Sequence, residues 1–112
     1  MTVGERVPTR VAIQTNCVVL VGAEGELVET VRQAALYASG AQTIEASLDN
    51  LATVAAERRP YAIVVPRDVY DFGGSDLDAL ARDVDAGLVV VADSVQLELL
   101  VASLGDAASR LG

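Results

Sequence analysis

The chain contains no histidine and no lysine, and a single cysteine, Cys17. Without histidine there is no imidazole base near neutral pH and no imidazole metal ligand. Without lysine there is no amine nucleophile, no Schiff base and no lysine for a phosphate-binding loop. One cysteine forms no internal disulfide and fits a reducing compartment. Cys17 opens the apolar run CVVLVG, which marks a buried small hydrophobe and not a reactive thiol. No run of about 18 apolar residues occurs, so no membrane-spanning helix is expected. The stretch MTVGERVPTR lacks the apolar core of a signal peptide, and the expected location is the cytoplasm. Positive charge is scarce as well. Eight arginines stand against 16 acidic residues, for a net charge of −8. Such a surface offers no footprint for nucleic acid or for anionic lipid, and neither is expected as a partner.

What is present is a chain of 112 residues with 52% hydrophobic content, enough for one globular core without staples. The domain is expected over residues 17–112, preceded by an arm at 1–16. CVVLVGA (17–23) is a continuous β-branched run, the pattern of a strand buried on both faces. From Glu24 to Ser39, Leu27, Val31, Ala34 or Ala35, and Ala38 recur at helical spacing, and Gly40 supplies the stop. AQTIEA (41–46) is a shorter strand. Ser47 is the expected N-cap of a helix carrying Leu48, Leu51, Ala52 and Ala55 and ending near RRP at 58–60. YAIVV (61–65) is a third buried strand, with Tyr61 expected to pack at its edge. DFGGSD is expected to turn the chain, with Ser75 and Asp78 at capping-box spacing before a stripe of Leu77, Leu80, Ala81 and Val84. AGLVVVA (86–92) is the fourth strand, and Ser94 is expected to cap a last helix, interrupted at Gly105. Strands alternating with helices in this way predict βαβ units and an α/β fold with a parallel sheet.

The run GAQTIEASLDNLATVAAERRPYAIVVPRD resembles the middle of a response-regulator receiver domain: a helix ending in glycine, a short strand closing in "EA", a helix, and an "RP" turn into a strand. The likeness spans residues 17 to about 94. It implies a flavodoxin-like (CheY-like) three-layer α-β-α fold with about four parallel strands in order 2-1-3-4, truncated relative to a full receiver, whose fifth strand has no counterpart here. It also implies which positions should carry chemistry, and the family's residues are missing from them. The acidic pair after the first strand is replaced by Gly22 and Ala23, with Glu24 one place late. The phosphoacceptor aspartate at the end of the third strand is replaced by Pro66. The hydroxyl residue after the fourth strand aligns with Asp93, with Ser94 one place on, and the family's lysine has no equivalent. Phosphoryl transfer to aspartate needs a nucleophile, a metal and a cation to hold the product. The resemblance therefore implies a degenerate, phosphorylation-independent pseudo-receiver and no enzyme.

Other features were weighed as sites. GAEG (22–25) lies between strand and helix, where glycine-rich loops cradle phosphates, but Glu24 and Glu26 place negative charge there and suit the helix dipole instead. Glu24, Asp68, Asp71 and Asp93 are expected near the carboxyl edge of the sheet, as candidate ligands of a hard cation. No cofactor is expected. Tyr70 and Phe72, beside Gly73 and Gly74, are candidates for an exposed aromatic contact. In the last helix Val95, Leu97, Leu99, Leu100, Val101 and Leu104 cover more circumference than one core-facing stripe needs, and LVVVA leaves an uncharged sheet edge. These two features predict a homodimer through the fourth helix, with Leu100 at its centre. Val11 and Ile13 of RVAIQ (10–14) alternate like a strand that either extends the first strand or is exchanged between subunits. The expected function is protein–protein interaction in signalling; the alternative is a flavodoxin-like domain binding a small ligand or metal at its acidic carboxyl edge.

Overall fold

The computed structural model describes residues 15–23, 25–92 and 96–109. The arm with Val11 and Ile13, together with Glu24, Asp93, Ser94 and Val95, lies outside the described residues. Strands and helices alternate as β1 (Thr15–Val21), α1 (Glu26–Ser39), β2 (Gln42–Ala46), α2 (Leu51–Arg58), β3 (Pro60–Pro66), α3 (Arg67–Asp83), β4 (Gly87–Val91) and α4 (Leu97–Ala108). The strands form one all-parallel sheet, as the alternation of elements predicts, in the order β2-β1-β3-β4, the flavodoxin-like arrangement that the receiver resemblance implies.

Right-handed crossovers set the layers. The step from β1 to β2 moves one way along the sheet, while those to β3 and β4 move the other way. Accordingly α1 covers one face and α2 and α3 cover the opposite one. Over β3 and β4 the α1 face would stay bare, and α4 fills that half by packing beside α1. Side-chain alternation in the two central strands supplies both layers. Val18 and Leu20 of β1 and Ala62 and Val64 of β3 meet Leu27, Val31, Ala34 and Ala35 of α1 and Leu100, Leu104 and Ala107 of α4. Val19, Val21, Ile63 and Val65 meet Leu51, Ala55, Leu77, Ala81 and Val84 on the other side. All of β3 is buried, which is why its sequence runs apolar without alternation. Tyr61 belongs to this interior and is not an edge residue; its hydroxyl lies 2.8 Å from Ser39 Oγ at the end of α1. Burial pushes its pKa above the ordinary phenol value, against the opposing effect of the Ser39 bond.

The helix ends show where local signals held and where they failed. Gly40 takes a left-handed conformation (φ 69°), and its N–H and that of Ala41 bond back to Leu36 and Ala35, closing α1 as glycine at that place predicts. Ser47 does not cap α2. Its N–H and hydroxyl both donate to Asn50 Oδ1, at 2.9 and 3.3 Å, which folds residues 47–50 into a turn and delays the helix to Leu51. Leu48 is thereby left outside the helix and 44% exposed. DFGG is not a turn between elements either: α3 starts at Arg67, directly after Pro66, and runs through it. The glycines leave only a kink, at Gly73 (φ −138°, ψ 35°), and Ser75 and Asp78 lie inside the helix and form no capping box. Asp68 in the first turn favours this early start through the helix dipole. At the other end of the chain α4 continues through Gly105 without a break.

Candidate functional site

The carboxyl edge of the sheet is built from the ends of β1 and β3. Gly22 follows β1 in a left-handed conformation (φ 65°), and its N–H donates to Ala46 O at 3.1 Å, extending the β1–β2 ladder by one bond. A Cβ at Gly22 would stand 3.2 Å from Val69 Cγ2 in the first turns of α3. Pro66 ends β3 with extended backbone (φ −61°, ψ 148°), is buried, and serves as the N-cap of α3. The missing N–H of proline costs little at such a position. Ala23, Leu27 and Val69 contribute apolar walls to a shallow depression of about 470 Å³, in which Glu26 and Asp68 are the charged residues. Among the described residues it offers no nucleophile at Pro66 and no cation to hold a phosphate.

Of the four acids named as candidate metal ligands, Asp68 and Asp71 are among the described residues. Asp68 lines the depression and Asp71, one turn on, does not. Glu24 and Asp93 lie outside the described residues, among which no three histidine, cysteine or acidic side chains come together to hold a metal ion. Gly22→Asp is expected to lower stability by about 1–2 kcal/mol, from the left-handed backbone and the crowding against Val69. Urea titration checks it; an unchanged midpoint would show that the loop gives way freely.

A more developed feature lies farther along α3. Leu48, Leu51 and Ala52 on the α2 side and Phe72, Gly73, Leu77 and Leu80 on the α3 side enclose a groove of about 330 Å³, with Asp76 at its margin. Leu51 and Leu77 form its buried floor, while Leu48 and Phe72 stand out of it, Phe72 being 85% exposed. The kink explains that exposure. Tyr70 folds back over Gly74, where an added Cβ would stand only 3.1 Å from its ring, and its hydroxyl donates to Asp78 Oδ2 at 3.0 Å. This staple spans eight residues and leaves Phe72 facing away from the core. The Asp78 bond holds the Tyr70 hydroxyl above its ordinary pKa. Of the two aromatics singled out from sequence, then, Phe72 is exposed while Tyr70 packs over Gly74.

The proposed α4 interface divides in two. Leu100 and Leu104 are 1% and 0% exposed and belong to the protomer's own core, which removes them from any outer surface. Leu97 and Val101 pack partly against that core. Leu99, 62% exposed, remains on the outer face. Leu36 and Tyr37 on α1 are also exposed, and sequence reasoning passed over them because the α1 stripe accounted for its other apolar residues. Leu48 was missed for a different reason: its spacing fits the α2 stripe, and only Asn50, a competing cap three residues on, signalled otherwise.

No family model matches the chain, and no curated protein matches it.

Proposed function

We propose that this chain is a non-catalytic, phosphorylation-independent pseudo-receiver that acts as a protein–protein interaction adaptor in signalling and associates with itself through the outer face of α4 and the open edge of β4. The observation that carries the proposal is the carboxyl edge. The positions where a receiver holds its acids and its phosphoacceptor are filled by Gly22, Ala23 and Pro66, and the first and last of these meet α3 through backbone conformation and apolar contact. Binding surfaces take the place of reactive groups: Phe72, Leu48 and Leu99 are large apolar side chains held in solvent by ordered helices and turns. The β4 edge adds Leu88, Val89 and Val90, half-buried and uncharged, whereas the β2 edge is guarded by Glu45, bonded to Arg32 at 3.4 Å.

Incubation with acetyl phosphate or beryllofluoride in the presence of magnesium is expected to leave the intact mass and the amide spectrum of the protein unchanged. A stable adduct on any carboxylate would overturn the proposal.

A further inference from the structure

We propose that the groove between α2 and α3 receives an amphipathic helix of a partner protein, with lysine or arginine flanking its apolar stripe. This assignment rests on the adaptor reading and gives the partner its chemistry. Single exposed apolar side chains are ordinary, but Leu48 and Phe72 face each other across a continuous apolar floor of Leu51 and Leu77. The groove runs between two helices that cover the same face of the sheet, a setting in which a third helix can seat its side chains. Its presentation is already formed. The Tyr70 staple across Gly74 to Asp78 fixes the kink that turns Phe72 outward, so binding need not order it.

Charge selects the occupant. Asp49 and Asp71, both exposed, adjoin Leu48 and Phe72, and Asp76 lies in the groove itself. Among the described residues no lining residue is cationic; the arginines of α3, Arg67 and Arg82, lie toward its two ends and outside the lining. A second copy of this chain would bring the same aspartates and a further net charge of −8, so self-association through the groove sets like charges face to face. A basic helix meets both the apolar floor and the acidic margin.

The probe is a synthetic 18-residue peptide with leucine at helical i, i+3, i+4, i+7 spacing and lysine elsewhere. It is titrated into the isotope-labelled full chain and followed by amide shifts. Saturable binding is expected, with shifts centred on residues 48–52 and 72–80. Phe72→Ser is expected to weaken it at least about tenfold while leaving the melting temperature unchanged, and Asp76→Lys to weaken it severalfold. Equal binding of a scrambled peptide of the same composition, or of a version with glutamate in place of lysine, would overturn the proposal. So would shifts confined to other surfaces, an absence of binding, or conversion of a dimer to monomer by Phe72→Ser, which would place a second copy in the groove. The two failures are distinguishable: a phosphoryl adduct removes the adaptor reading and the groove assignment that rests on it, whereas a peptide that does not bind removes the groove assignment alone.

Discussion

Leu100→Asp is expected to leave the protein unfolded at 25 °C, whereas Leu99→Asp, one residue earlier in α4, is expected to fold as the parent does. Leu100 sits at 1% exposure among Val64, Val91 and Leu104, and among the described residues no charged side chain is buried there to receive a carboxylate. An unpaired charge or an unsatisfied carboxyl group there costs about 4 kcal/mol or more. The lost burial of the leucine adds about 2–5 kcal/mol, and the total of about 6–9 kcal/mol exhausts the lower half of the about 5–15 kcal/mol that a domain of this size holds, so the population shifts toward the unfolded state. Leu99 is 62% exposed and its replacement stays within about 0.5 kcal/mol. Far-UV circular dichroism with a urea titration separates the two variants. A folded Leu100→Asp protein would mean that α4 does not close the core. The same pair corrects the design of any association test. Loss of a dimer in Leu100→Asp reports unfolding, while its loss in Leu99→Asp, read by light scattering, reports an interface on the outer face of α4.

Ile63→Ala is the second large effect, expected at about 2–5 kcal/mol with Ile63→Val at about 0.5–1.5 kcal/mol. Ile63 is fully buried in the centre of β3, on the face that supports α2 and α3. Its neighbours in that layer include Leu51 and Leu77, the floor of the groove. β3 is held on both sides, pairing with β1 and with β4, so the backbone cannot collapse into the space left by the missing atoms. The cavity term therefore adds to the lost transfer energy. Denaturant midpoints of the two variants check the ratio between them; a loss below about 1 kcal/mol in Ile63→Ala would show a loosely packed α2–α3 layer. Amide shifts at residues 48–52 and 72–80 in Ile63→Val show whether the floor moves with its support.

Periodicity determined the architecture. The apolar runs at CVVLV, YAIVV and LVVV, each followed by a helical stripe, leave few arrangements other than a parallel sheet, because strands buried on both faces require helices above and below. Most core positions followed from the same pattern: Leu27, Val31, Ala55, Leu77, Ala81 and Val84 are buried where their spacing placed them. The absence of histidine and lysine, and the glycine, alanine and proline at positions 22, 23 and 66, were likewise plain in the chain itself.

Tertiary structure decided the rest, and each case has a local cause. Ser47 and Asn50 are both good caps, and the contest between them was settled by a side-chain bond to Ser47 N–H that moved the helix start to Leu51 and turned Leu48 outward. Two adjacent glycines are as compatible with a turn as with a kink. The Tyr70 ring over Gly74 and its bond to Asp78 keep the chain helical on both sides of Gly73, with Phe72 exposed between. The α4 leucines illustrate the limit most clearly. Their spacing shows that the helix has more apolar surface than one stripe, but which part is inside depends on the face of the sheet that α1 leaves uncovered. That is a property of the strand order and its crossovers, fixed only when residues far apart in the chain come together.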